Sequence, residues 1–177
     1  MTKFKNKYRI ETTRLKNWDY GWNALYFVTI CLKNRRYYFG NVVRGKMEFS
    51  KIGVMAEKYW LEIPVHFPFV KLHPHIVMPN HVHGIVQIDK PDVEPQNFAD
   101  LPSATKNKFG PQSKNLASII RGFKIGVTKN ARNINPDFAW QSRYHDHIIR
   151  NEKSFQNISN YIQNNPKNWK RDTFHVK

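Results

Sequence analysis

Asn80-His81-Val82-His83-Gly84-Ile85-Val86-Gln87-Ile88 decides how the rest of the chain must be arranged. Successive side chains of a strand point to opposite faces, so His81, His83, Ile85 and Gln87 share one face and Val82, Gly84, Val86 and Ile88 the other. The second set is apolar and claims the core. The two imidazoles are thereby turned toward a cleft or solvent. Neutral imidazoles about 6–7 Å apart along a strand can converge on one ion if a third ligand completes the set. The plainer alternative is a pair of surface histidines contacting phosphates or water. Two other His-x-His pairs occur. His73/His75 straddles Pro74, which disrupts regular pairing, whereas His145/His147 lies in a plausible strand and stays open as an alternative ligand pair.

Upstream, Phe69–Met78 reads as a strand interrupted at Pro74, and Met78-Pro79-Asn80 supplies turn chemistry, so an antiparallel hairpin is expected. Residues 24–32 are an apolar run rich in strand formers, the mark of a central buried strand. Tyr37–Val43 and Lys46–Phe49 flank Arg44-Gly45 as a small hairpin. Ile52, Met55, Ala56, Tyr59, Trp60 and Ile63 then follow a helical period, with Ser50 as N-cap and Pro64 as stop. Downstream, Leu116, Ile119, Ile120, Phe123 and Val127 mark a second amphipathic helix. A strand ending at Ile148-Ile149 follows, and Asn151 caps a third helix with apolar positions Phe155, Ile158 and Ile162, which Pro166 ends. This order predicts one α+β domain over 21–177, an antiparallel sheet with helices packed on it. Residues 1–20 read as a basic, flexible arm and 89–113, with four prolines, as a long loop.

A chain of 177 residues suits one well-buried domain. Its single cysteine, Cys31, cannot form an internal disulfide, and no apolar run approaches the ~20 residues of a membrane span. Both features point to a cytoplasmic protein with no membrane partner. Twenty-nine Lys and Arg against 13 acids leave a net charge of +16. An excess of that size usually serves a polyanion, because neutralised phosphates release counterions. Charge selects nucleic acid, but not which kind.

On a helix, i and i+4 are neighbours, so Tyr161 and Asn165 stack at the flank of the Phe155/Ile158/Ile162 stripe. From the sheet edge Asn165 can reach a metal held on the strand while Tyr161 points at a phosphate. The alternative is an interfacial tyrosine and an ordinary helix-end asparagine.

Taken together, four stretches resemble the single-tyrosine HUH transposases: Val77-Met-Pro-Asn-His-Val-His-Gly84 their His-hydrophobe-His motif, and Tyr161-Ile-Gln-Asn-Asn-Pro166 their nucleophile helix. Gly110–Lys124 and Trp140–Arg150 are similar to the REP-associated branch. The resemblance implies a ferredoxin-like sheet, a Mg²⁺ or Mn²⁺ cofactor, and single-stranded DNA folded into hairpins as substrate. It makes His81 and His83 metal ligands, Tyr161 the nucleophile and Asn165 the third ligand, where insertion-sequence members more typically carry glutamine. Attack by the tyrosine would give a 5′-phosphotyrosine and a free 3′-hydroxyl, conserving the bond energy, so no nucleotide cofactor is expected. The chain carries no Gly-rich phosphate loop, which agrees. Arg121, Lys124, Arg143 and Arg150 are the expected DNA contacts, with Trp140 and Tyr144 available for base stacking. Two other functions are compatible: a hairpin binder that has lost the chemistry, and a replication-initiator-type nickase. Monomer and homodimer both remain open.

Overall fold

Alternation in 81–88 and the apolar run at 24–31 produce the two central strands of a four-stranded sheet. In the computed structural model, which describes residues 3–4, 7–8, 14–15, 18–91 and 113–175, the elements are β1 (Lys3–Phe4), β2 (Lys7–Tyr8), β3 (Ala24–Cys31), β4 (Gly40–Val43), β5 (Lys46–Phe49), α1 (Lys51–Leu61), α2 (Ile63–His66), β6 (Val70–Met78), β7 (His81–Ile88), α3 (Leu116–Ile134), β8 (His145–Ile149) and α4 (Glu152–Asn168). Single 3₁₀ turns follow at Lys33–Arg35 and Trp169–Arg171. The main sheet runs β6-β7-β3-β8 and every neighbouring pair is antiparallel. Counting only these four strands in chain order, the spatial order is 4-1-3-2, the split βαβ arrangement of ferredoxin-like domains.

Helices cover both faces of this sheet. Tyr26, Val28 and Ile30 of β3 and Val82, Val86 and Ile88 of β7 form one core with Trp60 of α1 and Ile120, Phe123 and Val127 of α3. On the other face Ile85 and Ile149 are buried with Ile162 of α4, flanked by Phe27, Phe155 and Ile158. The two-residue period on β7 therefore holds. Of the two settings expected for its second face, cleft or solvent, solvent is excluded, because α4 lies over the histidines and leaves them buried. Gly84 reflects crowding on the first face: a Cβ there would lie 2.2 Å from the Trp60 indole.

Local signals explain most boundaries. Ser50 Oγ accepts from the Gly53 amide at 3.1 Å, and Asn151 Oδ1 accepts from the Ser154 amide at 2.8 Å, so both are N-caps. Pro64 ends α1 and opens the short α2. Pro166 does not end α4, which continues to Asn168. A proline this close to a helix end forfeits only one backbone bond, and its ring is buried. On the edge strand β6 the register shifts between Leu72 and His75, a bulge at Pro74 of the kind edge strands tolerate. The shift separates the His73/His75 pair. His73 meets Gln87 Oε1 at 2.7 Å, while His75 meets Glu57 Oε1 at 3.0 Å and stacks on Trp60.

Most of the expected arm (1–20) and of the expected loop (89–113) falls outside the described residues. The end of the arm is part of the core: Trp18 and Tyr20 are buried, and the Trp18 indole donates to the Tyr26 hydroxyl at 3.1 Å. Among the described residues, no helix is long and apolar enough to cross a membrane.

Candidate metal and nucleophile site

β7 presents His81 and His83 with ring centroids 4.4 Å apart and exposures of 0% and 1%. The orientation of His81 can be worked out from its neighbour. Asn80 Nδ2 donates to the carbonyls of Arg35 at 3.2 Å and Phe174 at 2.8 Å, so Asn80 Oδ1 is the acceptor that faces His81 Nδ1 at 2.8 Å. His81 therefore carries its proton on Nδ1 and keeps a bare lone pair on Nε2. That Nε2 is buried with no hydrogen-bond partner, the state of a ligand atom whose ring is oriented by an outer carbonyl oxygen. His83 is held similarly: Nδ1 meets Thr29 Oγ1 at 2.9 Å and Nε2 meets the Tyr161 hydroxyl at 3.1 Å. Burial, with the neighbouring His83 and Arg35, holds His81 well below the ordinary imidazole pKa. Burial, with His145 second, pushes His83 down to about 3. Both rings are therefore neutral at physiological pH, the protonation state metal binding requires.

α4 brings in the next two groups. Tyr161 lies over His83 and Phe27, with ring centroids 5.2 Å and 6.3 Å away. Its phenol pKa is raised, chiefly by burial and then by Asp172, against a hydrogen bond from Asn165 that lowers it. Asn165, one turn on, is buried; its Nδ2 donates to Asp172 Oδ2 at 2.9 Å, while its Oδ1 has no partner.

Asp172 is the residue the sequence did not single out. It follows the 3₁₀ turn after α4, and its other carboxylate oxygen accepts the Phe174 amide at 2.7 Å. His81, His83 and Asp172 each offer a ligand atom, all within 4.8 Å of one another. Phe174 closes the site, its ring centroid 4.5 Å from that of His81. No periodic pattern announces Asp172. Thr29 did carry a signal, as a polar residue midway along a buried strand that must find a partner.

The expected DNA contacts are not gathered here. α3 packs on the face opposite α4, so the sheet separates Arg121 and Lys124 from Tyr161. Arg121, Lys124 and Arg143 instead line a separate groove of about 590 Å³, together with Ile120, Ile125 and Tyr144. Lys124 is partly committed, its ammonium donating to the Gln141 carbonyl at 2.7 Å and lying 5.6 Å from the Trp140 ring centroid. Arg150 is exposed just beyond β8.

The chain thus combines a ferredoxin-like sheet with two buried histidines on a central strand and a tyrosine-bearing helix laid across them, and known proteins resemble it in sequence and fold. A Haemophilus influenzae protein described as uncharacterised is 39% identical over 167 residues, covering 92% of this chain and 91% of that protein. A second from the same organism, named as a proposed REP-associated tyrosine transposase, is 28% identical over 167 residues, covering 89% and 83%. The solved structure of a REP-associated tyrosine transposase bound to a REP hairpin superposes with a TM-score of 0.61 at 19% identity, over 90% of this chain and 74% of that one. No family model matches the chain. The chain is thus similar in sequence to a protein named for the REP-associated tyrosine transposases and shares the fold of a solved member.

Proposed function

We propose that the protein is a DNA transposase and single-strand endonuclease that cleaves and rejoins hairpin-forming single-stranded DNA, with Tyr161 as nucleophile and a divalent metal at His81, His83 and Asp172. The observation that carries this reading is the convergence, on one face of the sheet, of a phenol 3.1 Å from His83 with a buried, unpartnered imidazole nitrogen on His81. The hairpin in the related solved structure supports hairpin DNA as substrate.

The donor set suits a divalent cation. Two neutral imidazoles, a carboxylate and the unpartnered Asn165 Oδ1 offer mixed nitrogen and oxygen ligands, which favour Mn²⁺ and accept Mg²⁺. Asn165 would supply its unpartnered Oδ1, and Asp172 would add the negative charge that the histidine–amide set lacks. A bound ion would polarise the scissile phosphate and offset charge developing on it. Tyr161 Oη would form the new bond to phosphorus as the bond to the 3′-oxygen breaks. The phenol's proton is balanced by the one the 3′-hydroxyl gains. A second 3′-hydroxyl can reverse the step on another strand with no external energy source.

His83 Nε2 has a single lone pair, so the phenol contact and an ion at that atom exclude each other. With His83 Nε2 as a ligand, the Tyr161 hydroxyl would be off the imidazole and available to the phosphate. Incubating the protein with a hairpin oligonucleotide and Mn²⁺ should give a covalent adduct on a denaturing gel. Tyr161→Phe should give none, and cleavage by that variant at the wild-type rate would sink the assignment. A second reading, hairpin binding without cleavage, draws on the complete burial of both imidazoles beneath Phe174; an adduct from wild-type protein rules it out.

A further inference from the structure

His145 and His147 belong to no part of the site above, yet they stand on the same face of the sheet. Thr29 is the cross-strand partner of both His83 and His145, and Phe27 of both Ile85 and His147. Directly opposed residues share a face. His83, Thr29 and His145 thus form one row, and Ile85, Phe27 and His147 the next. α4 passes over these rows and leaves a cavity of about 470 Å³ whose walls include Phe27, His145, His147, Lys153, Asn157 and Ile158. Ser154, Asn157 and Ile158 of this wall stand at i, i+3 and i+4 on α4, and Tyr161 is the next position of that stripe. Phe27 links the two regions, its ring 6.3 Å from that of Tyr161 and 5.3 Å from that of His83.

We infer that this cavity is a nucleotide subsite, taking one unpaired deoxynucleotide of the strand that adjoins the scissile phosphate. The inference rests on the Tyr161 reading above and adds where the strand lies. Phe27 and Ile158 offer apolar surface to the flat face of a base. Asn157 and the two exposed imidazoles offer hydrogen bonds to its edge, and the Lys153 ammonium suits a phosphate. A paired base has its edge occupied and its faces stacked, so this lining fits an unpaired one. The volume lies within the ~300–1,000 Å³ of small-ligand sites. Continuity with Tyr161 distinguishes the cavity from the cationic groove on the opposite face of the sheet.

The test uses the full chain in EDTA-containing buffer, with a fluorescent hairpin oligonucleotide carrying a single-stranded tail and the same hairpin without it. His147→Ala/Asn157→Ala, which alters only exposed residues, should weaken tail-dependent binding by about tenfold, the scale of losing one or two hydrogen bonds. Ser154→Trp, which fills the cavity, should do the same. Both variants should bind the tailless hairpin like wild type. A 5-iododeoxyuridine in the tail should crosslink within residues 145–158. Unchanged affinity in both variants, or crosslinks confined to residues 117–144, would overturn the subsite. Cleavage by Tyr161→Phe would remove the nucleophile assignment alone, because the affinity readout does not depend on it.

Discussion

At the scale of single residues, Asp172 changes the chemistry most. A site of two imidazoles and an amide carries no charge of its own, whereas one carboxylate attracts a divalent cation and partly compensates it once bound. Asp172→Asn should lower Mn²⁺ affinity by about 10- to 100-fold, the range seen when groups supporting a metal site are lost, as measured by titration calorimetry. Tyr161→Phe should bind Mn²⁺ at least as tightly as wild type, since it removes only the hydroxyl that competes for His83 Nε2. A large loss of affinity in that variant would mean that the phenol is itself a ligand.

At the scale of elements, β7 shows what was legible and what was not. Its alternation assigned Val82, Val86 and Ile88 to a core directly from sequence. The same alternation could not say what covers His81 and His83, because the amphipathic stripe of α4 looks the same on a helix at the rim as on one lying across the sheet. Pro166 misled for a related reason: proline's local cost argues for a stop, but near a helix end that cost is one bond, and burial of the ring offsets it. Asp172 lay in a turn whose contacts follow no period. Gly84 carries the clearest prediction at this scale. Gly84→Ala forces a methyl into the Trp60 indole, and overpacking of this kind costs about 1–3 kcal/mol, to be read as a lower thermal midpoint. A variant as stable as wild type would show that Trp60 can move aside.

At the scale of the whole molecule, the sheet divides the chemistry from much of the expected DNA surface. The cationic groove of Arg121 and Arg143 and the Tyr161 site lie on opposite sides, so one short strand cannot touch both without passing round an edge. Charge points to a polyanionic partner, but it carries no information about which face such a partner would use. A net charge of +16 should make hairpin binding strongly salt-dependent. The affinity should fall at least tenfold between 50 and 200 mM salt, as expected when several phosphates are neutralised, in an anisotropy titration. Salt-independent binding would argue against phosphate contact altogether.

The carboxamide of Asn80 ties the last residues of the fold to the proton on His81. One of its two N–H groups is satisfied by the Phe174 carbonyl and the other by Arg35, and this is what points its oxygen at the imidazole. Lifting Phe174 to admit a phosphate would remove half of that restraint, leaving the amide free to rotate and the imidazole free to exchange tautomers. Opening the site and keeping His81 in the tautomer that leaves its Nε2 bare would therefore be coupled through a single side chain.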